Sequence, residues 1–514
     1  MPQQEKLPNL RRRRGKRDKE PVVKRPKRQS KALQKHKNDT PSGGIEVMLP
    51  SFIGLAILAC GAMAKMGFRG RPSVAGIDLG TTNSVVCVQG QTGEQIVIDC
   101  IADPASGSAV IPSVVSFLEP HEWSVGPSSK RTSELSPHPS HVVAGASAKR
   151  RIDSHPHHTL YHAKRVIGRS LEDPSVGVLE SEVEFGMQPG EDGAGVDFTV
   201  PSLNVRVSPQ QVGAYVVDHL SRVVANALGH ENVKSAIICV PAKFNARQRQ
   251  ETAAAFRTAG FTVTRILEEP TAAALAYGLH RKDGVDYILV YDFGGGTLDL
   301  SLLHVSEGFV DVLGSDGDDV LGGSNFDDAI AQFLIENHKG TLETLTSVLQ
   351  QYRWEEDAIS NNCPVLAEHP LCSVSSFHTI GEQFKIQLSE QYGTSDHLQV
   401  SSQCMALPKN KGGVDVSSLD AFCGALQPLD LRISLDEFES ISQPLFARAL
   451  APVARLLHDY DMTSADIDEI VMVGGTTRMP QIRKLVQDAL DGSTMNTSID
   501  PDLTVAYGAA SVID

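Results

Sequence analysis

The sequence predicts an α/β protein whose body consists of two lobes with a cleft between them. Residues 74–88 and 287–305 each show a β-branched strand, a turn that begins Asp-x-Gly, and a second strand. Residues 470–480 show a strand, the pair Gly474-Gly475, and the start of a helix. Strands that alternate with helical patterns are typical of α/β folds, and the repeated hairpin predicts two lobes of similar build.

The composition is that of an ordinary globular protein. The chain has 514 residues, of which 41% are hydrophobic and 21% are charged. This excludes a collagen, a low-complexity polymer and a small disulfide-rich scaffold. The eight cysteines include no C-x-x-C pair, which argues against a zinc ribbon and a thioredoxin-like site. Few aromatic residues argue against a platform on which nucleic-acid bases stack.

The N-terminal residues 1–46 form a basic segment that we expect to be disordered. They hold 15 Lys and Arg but only 5 Asp and Glu, although the whole chain has a net charge of −15. Such a composition cannot bury enough apolar surface to fold. A solvated tail, a nuclear-import signal and an RNA-binding patch all remain open for this tail. The acidic body should repel nucleic acid.

Residues 47–64 form an uncharged hydrophobic segment of 18 residues, at the lower limit for a membrane-spanning helix. The many basic residues before it predict that the tail lies in the cytosol and the body lies across the membrane. We therefore expect an uncleaved signal anchor in the endoplasmic reticulum, with the body in the lumen. Cleavage within residues 61–64, and a location in the cytoplasm or another organelle, are the alternatives.

The two hairpin turns carry the residue types that bind a phosphate group together with Mg²⁺. Glycines let backbone N–H groups approach an anion closely, and threonine hydroxyls add donors. Aspartates would repel a bare phosphate, but they can hold the water shell of Mg²⁺. A strand follows each turn, so neither is a Walker loop. The residues are Thr81, Thr82, Thr297, Asp78, Asp292 and Asp299.

Two further glycine pairs extend this prediction. Gly474 and Gly475 precede a helix, whose first N–H groups can bind an anion. Arg478, in the same segment, can lie flat on a purine ring. Gly322 and Gly323 form a weaker signal on their own. Together with the hairpins, these glycines predict a nucleoside triphosphate held between the lobes.

Eight segments resemble the ATPase domain of the 70-kDa heat-shock chaperone family. The resemblance runs from about residue 74 to the end of the chain. The segments are GIDLGTTNS (76–84), YHAKRVIGR (161–169), VPAKFNARQRQ (240–250), ILEEPTAAALAYGL (266–279), YDFGGGTLDLSLL (291–303), VLGGSNFD (320–327), VMVGGTTRMP (471–480) and DPDLTVAYGAA (500–510).

The resemblance implies an actin-like, ribonuclease H-like fold of two lobes around a nucleotide cleft, with a five-stranded mixed sheet in each lobe. Lobe I is expected at 74–283, with an insert near 103–205. Lobe II is expected at 284–500, with an insert near 324–430. The last segment, 501–514, is expected to form a helix that returns to lobe I.

The same resemblance implies roles for individual residues. Lys164 matches the lysine that orients the attacking water, and Pro241 and Arg249 match a proline switch that links the nucleotide state to domain docking. The catalytic set is Asp78, Lys164, Glu269, Asp292 and Thr297. The residues that hold Mg²⁺ through water are Asp78, Glu269, Asp292 and Asp299. The residues that bind ATP or ADP are Thr81, Thr82, Asn83, Gly294, Gly295, Gly296, Gly322, Gly323, Glu382, Lys385, Ser389, Gly474, Gly475, Arg478 and Asp502.

The sequence departs from the family pattern at several positions. Ile386 stands where the family usually has a second arginine against adenine, so nucleotide affinity or exchange should be atypical. Ser324 and Asn325 replace an acidic pair. Four cysteines occur in poorly matching segments and would pair in an oxidising lumen or remain thiols in the cytosol. They are Cys363, Cys372, Cys404 and Cys423.

The layout is most similar to the microsomal, Stch-type members of the family, because no peptide-binding domain follows the ATPase segments. We therefore expect a slow ATPase that switches conformation with nucleotide and serves protein folding or quality control through partners. A J-domain co-chaperone or a nucleotide-exchange factor would be such a partner. A nucleotide-sensing scaffold with little turnover is one alternative. A carbohydrate kinase is another, which EPTAAALAYGL argues against.

Overall fold

A computed structural model of the protein describes residues 74–513, apart from 93–94, 123–134, 153, 191–192, 194, 353, 355–358, 360–361, 396 and 409–415. These residues belong to one compact unit, Arg69–Asp514. The predicted basic tail at 1–46 and the predicted anchor at 47–64 lie outside the described residues. Within the described ranges, no helix has both the length and the apolar character needed to cross a membrane.

The described residues form nineteen strands and twelve α-helices. The strands are β1 (Val74–Leu79), β2 (Asn83–Thr92), β3 (Gln95–Cys100), β4 (Ile111–Pro112), β5 (Val115–Phe117), β6 (Val142–Ala144), β7 (Thr159–Leu160), β8 (Gly186–Pro189), β9 (Val196–Val200), β10 (Val205–Val207), β11 (Ser235–Val240), β12 (Thr262–Glu268), β13 (Tyr287–Phe293), β14 (Leu298–Ser306), β15 (Phe309–Asp318), β16 (Gln399–Ala406), β17 (Gln427–Ser434), β18 (Glu469–Val473) and β19 (Thr494–Asn496). The helices are α1 (Ala146–Lys149), α2 (Ala163–Val166), α3 (Pro174–Glu182), α4 (Pro209–Leu228), α5 (Ala246–Thr258), α6 (Glu269–Ala276), α7 (Gly323–Tyr352), α8 (Val374–Glu390), α9 (Leu419–Ala425), α10 (Leu435–Asp459), α11 (Pro480–Ala489) and α12 (Thr504–Ser511).

The two main sheets have the same topology. In the first lobe the strand order is β12-β11-β1-β2-β3, and in the second it is β19-β18-β13-β14-β15. In each sheet the first strand of a hairpin pairs with a parallel neighbour: β1 runs parallel to β11, and β13 runs parallel to β18. The predicted actin-like two-lobe α/β fold is confirmed. The first sheet differs from the expected five strands by the short β4, which pairs with β2.

Helices α6 and α12 join the two lobes. Helix α6 follows the first sheet but packs on strands of the second, whereas α12 follows the second sheet and packs on the first. The two helices also pack against each other, and a Cβ atom on Gly508 would lie only 1.8 Å from the carbonyl oxygen of Ala272. Gly76 in β1 is equally confined, because its Cβ would lie 2.3 Å from the backbone nitrogen of Ala510. Glycine is therefore required where the backbones meet.

Smaller elements are added to each lobe. The three-stranded sheets β6-β5-β7 and β10-β9-β8 accompany the first lobe. The hairpin β16-β17 belongs to the second lobe, where it packs near α7 and α8. Buried apolar side chains form a separate core in each lobe, and a third cluster that includes Ala273 and Val505 lies between the two sheets.

Three disulfides cross-link the described residues. Cys363 bonds Cys423 and Cys372 bonds Cys404, so the four cysteines that the sequence singled out do pair. The third bond, Cys87–Cys100, was not anticipated. It joins residues that stand opposite each other in β2 and β3, a register that only the folded hairpin reveals. Cys239 is a free, buried thiol.

Loss of the Cys372–Cys404 bond should lower the free energy of unfolding by about 3 kcal/mol, because the bond closes a loop in the unfolded chain. The measurement is urea unfolding of the oxidised full-length protein against the C372A/C404A double variant. In reductant the wild type also lacks this bond, so the difference between the two proteins should then nearly vanish. A difference that persists in reductant would assign the effect to side-chain packing instead.

Candidate functional site

A cleft of about 930 Å³ separates the lobes and is lined by residues from both. This volume lies within the range of small-molecule and cofactor sites. Every residue predicted to bind nucleotide or metal, or to take part in catalysis, lines it, with the exception of Gly322. Gly322 lies directly behind the lining, because its Cβ would contact the backbone of Gly295 at 2.3 Å.

Four carboxylates form the acidic end of the cleft. Asp78 and Asp292 occupy the same position in the two equivalent strands β1 and β13, next to the turn of each hairpin. Asp299 stands opposite Asp292 in the second hairpin. Glu269 is the first residue of α6 and is largely buried. The repeated topology thus brings together acids that are far apart in sequence.

Lys164 lies among these acids. It comes from the one-turn helix α2, and its side chain is only 8% exposed. Its Nζ donates to Oε1 of Glu269 at 2.6 Å and lies 3.8 Å from Oδ1 of Asp78. Burial alone would lower the pKa of Lys164, but the charges of Glu269, Asp78 and Asp292 raise it above its usual value. The ammonium therefore stays charged.

Burial has the opposite effect on the acids. It raises the pKa of Asp78 and, more strongly, that of Asp292, although Lys164 opposes the shift in both. It raises the pKa of Glu269 to about 7, again against the effect of Lys164. Oδ1 of Asp78 is buried and receives no hydrogen bond from the described residues. Full ionisation of these acids would therefore place more negative charge here than Lys164 compensates, and burial favours their neutral forms.

The glycine turns meet beside the acidic end. The Gly294 N–H donates to the Thr297 carbonyl at 3.0 Å, which closes the second hairpin turn. Gly474 has a φ of 82°, and its Cβ would lie 2.4 Å from the Phe293 carbonyl oxygen. The Thr476 hydroxyl donates to the Gly294 carbonyl at 2.8 Å and ties the two turns together. A glycine cradle of this kind leaves backbone open for an anion.

Longer side chains line another part of the cleft. Arg478 pairs with Asp502 at 2.8 Å and also with Asp500. Lys385 donates to the Gly323 carbonyl at 3.0 Å and pairs with Asp327 at 2.8 Å. Helix α8 also places Glu382, Ile386 and Ser389 along the cleft.

The residues that depart from the family pattern, Ser324 with Asn325 and Ile386 in α8, change the contacts within the cleft. Ser324 donates its hydroxyl to the Gly295 carbonyl at 2.9 Å, and Asn325 accepts the Gly322 N–H at 2.8 Å. These neutral side chains therefore brace the glycine turn. Ile386 is 46% exposed, an unusual state for an isoleucine, and offers an apolar surface at the cleft.

Sequence reasoning missed several residues of the cleft. Lys243 pairs with Asp299 at 3.0 Å, and Asp327 pairs with Lys385. His162 precedes the helix of Lys164 with a left-handed φ of 58°, and burial lowers its pKa to about 4. Each lies next to a predicted residue in sequence or in space. A signal existed for all three, since each stands in a segment that carries the family resemblance: Lys243 in 240–250, Asp327 in 320–327 and His162 in 161–169.

The residues fit a divalent metal that accompanies phosphate. Among the described residues, no group of three or more His, Cys, Asp or Glu side chains could hold a metal ion on its own. The buried Oδ1 of Asp78 nevertheless accepts no hydrogen bond from the described residues, and the carboxylates outnumber the lysines, so a further cation would stabilise this end of the cleft. Asp78, Glu269, Asp292 and Asp299 would hold it, with the glycine turns on the phosphate side.

Comparison with protein-family models gives a match over most of the chain. The model described as "Hsp70 protein" matches residues 74–358 and 409–513. The two ranges contain both main sheets, the four carboxylates, Lys164 and all the glycine turns. Helix α8, with Glu382, Lys385 and Ser389, falls between them. The match favours the chaperone ATPase over the carbohydrate kinase as the interpretation of these motifs.

Proposed function

The chain belongs to the Hsp70 family, and from this premise we propose that it binds ATP and ADP in the cleft, slowly hydrolyses ATP to ADP and phosphate, and changes conformation with the bound nucleotide. Members of this family are ATP-binding, chaperone-type ATPases that use Mg²⁺. One observation carries the proposal. Buried carboxylates, a buried lysine and three glycine turns meet at one end of a cleft between two lobes.

In the proposed mechanism, each lobe contributes part of the phosphate site. The backbone N–H groups of the glycine turns and the hydroxyls of Thr81 and Thr297 bind the phosphates. A bound Mg²⁺ would neutralise phosphate charge and align the phosphates. Lys164 orients the attacking water and stabilises the charge that develops on the transferred group. Glu269, whose pKa burial raises to about 7, is suited to accept a proton near neutral pH.

The conformational change follows from the position of the nucleotide. A ligand that contacts both lobes stabilises the closed arrangement more than the open one, so ATP shifts the population toward closure. Helices α6 and α12, which pack on opposite sheets, would carry that movement. We propose that a J-domain co-chaperone or a nucleotide-exchange factor reads this change, and that the role is in protein folding or quality control.

The disulfides support an oxidising compartment. Three such bonds in one body are typical of secreted and lumenal proteins and rare in the cytosol. We propose that the body works in the lumen of the endoplasmic reticulum, held by the segment at 47–64.

Ile386 favours a second candidate function, a nucleotide-sensing scaffold with little turnover, because an isoleucine replaces a cation that would stack on adenine.

Calorimetry on the full-length protein tests nucleotide binding. We expect ADP with Mg²⁺ to bind at one site, and R478A to bind ADP about tenfold more weakly, since a cation–π contact contributes about 0.5–2 kcal/mol. R432A is the matched control, because Arg432 lies on β17 and is largely exposed. It should leave ADP affinity unchanged. If neither ADP nor ATP binds with Mg²⁺, the proposed function is wrong.

A further inference from the structure

Lys243 forms an ion pair that spans the cleft at its acidic end. It lies just after β11 in the first lobe, whereas its partner Asp299 lies in β14 of the second lobe. The Nζ–Oδ1 distance is 3.0 Å, and the two side chains are 36% and 31% exposed. Both residues line the cleft. The ion pair is therefore accessible to a ligand that enters the acidic end of the cleft.

The protein holds Lys243 in place on both sides. Arg249 donates to the carbonyls of Ala242 at 2.9 Å and Phe244 at 2.8 Å, the residues that flank the lysine. It also pairs with Glu268 at 2.8 Å, at the end of β12. On the opposite lobe, a Cβ on Gly317 would lie 2.8 Å from Nζ of Lys243, so the glycine leaves room for the ammonium. These contacts hold the backbone on both sides of Lys243 and leave space for its ammonium beside Asp299 before any ligand binds.

The charge balance indicates what this cation does. Lys164 forms ion pairs with Glu269 and Asp78, whereas Asp299 forms its ion pair with Lys243. Among the described residues, Lys164 and Lys243 thus form ion pairs with three of the four carboxylates, and Asp292 forms none. A di- or triphosphate brings further negative charge to the same place. Each positive charge at this end therefore lowers the electrostatic cost of binding it.

We propose that Lys243 supplies a built-in cation at the acidic end of the cleft and thereby reduces the dependence of nucleotide binding on Mg²⁺. The inference rests on the proposed function, since it assumes that ADP or ATP binds in the cleft. Without metal, the ammonium neutralises Asp299 and faces the phosphates. With metal, part of its contribution is redundant, because the divalent ion screens the same carboxylate and phosphates.

The test is the dissociation constant of ADP, measured by calorimetry on the full-length protein with Mg²⁺ and with EDTA. The quantity of interest is the ratio of the EDTA value to the Mg²⁺ value. In K243Q this ratio should rise about tenfold over wild type, since one full charge near the phosphates is lost. K243R keeps the charge and should keep the wild-type ratio. K234Q is the matched control, because Lys234 is exposed at the opposite end of the same strand.

The outcomes separate this inference from the proposed function. If K243Q leaves the ratio unchanged, or if wild type loses all binding in EDTA, Lys243 is not a substitute cation and the inference is wrong. If wild type does not bind ADP even with Mg²⁺, the proposed function itself fails. Thermal unfolding checks that K243Q folds. If it does not, the same ratio is measured for K243M, which keeps most of the aliphatic stem, and an unchanged ratio would again contradict the inference.

Discussion

Replacing Lys164 by alanine should reduce the rate of ATP hydrolysis by a factor of about 10² to 10³, the usual effect of removing one group that stabilises developing charge. Its Nζ lies 2.6 Å from Glu269 and 3.8 Å from Asp78, so this positive charge is well placed to orient a water molecule at the acidic end of the cleft. The substitution removes this cation from a largely buried environment, where solvent cannot replace it.

Nucleotide binding and the fold should survive this substitution better than catalysis does. Lys164 lowers the pKa of Glu269, Asp78 and Asp292, so its removal raises all three. These carboxylates then take up protons near neutral pH, which offsets part of the lost positive charge. The glycine turns and Arg478 are unaffected. We therefore expect K164A to bind ADP with Mg²⁺ while it hydrolyses ATP very slowly.

Single-turnover hydrolysis of ATP by the full-length protein is the appropriate measurement, because it isolates the chemical step from product release. R165A is the matched control. Arg165 is the next residue of the same short helix and also lines the cleft, but its guanidinium pairs with Glu182 at 2.6 Å and with none of the four carboxylates among the described residues. Equal, background-level rates for wild type and K164A would contradict slow hydrolysis and favour the nucleotide-sensing scaffold.

The parts of the site that the sequence predicted are those encoded locally. An Asp-x-Gly turn between two strands specifies its own hydrogen bonds, and its repetition showed that two such turns belong together. Asp78 and Asp292 could therefore be assigned to one site from the order of residues alone. The same reasoning applies to Gly474, which follows a buried strand and precedes a helix.

The parts that sequence reasoning missed depend on how distant segments meet. Nothing near Lys243 in the chain reveals that Asp299 of the other lobe will lie 3.0 Å away. The bond between Cys87 and Cys100 requires the register of β2 against β3, which a slip of one residue would abolish. The left-handed backbone of His162 is likewise set by its surroundings, since a non-glycine residue rarely adopts it.

The exchange of helices between the two main sheets is a feature of the topology that no single sequence motif reveals. Each main sheet supplies the helix that covers the other, because α6 leaves the first sheet for the second and α12 does the reverse. The two helices meet where Gly508 faces Ala272. Since Glu269 begins α6 and Asp502 lies just before α12, two residues that line the cleft are attached to this contact. Its packing should therefore matter for the stability of the body and for the nucleotide site together.

G508A should lower the free energy of unfolding by about 3 kcal/mol, the upper end of the usual cost of overpacking, because the new Cβ would lie 1.8 Å from a backbone oxygen that cannot rotate away. It should also weaken ADP binding, since relief of the clash separates α12 from α6. G177A is the matched control: Gly177 is an exposed glycine in α3 with no atom within 4 Å of its Cβ. There alanine should stabilise the protein by about 0.5–1 kcal/mol. Urea unfolding and calorimetry with ADP measure both effects, and a G508A protein as stable as G177A would show that the two helices do not hold the lobes together.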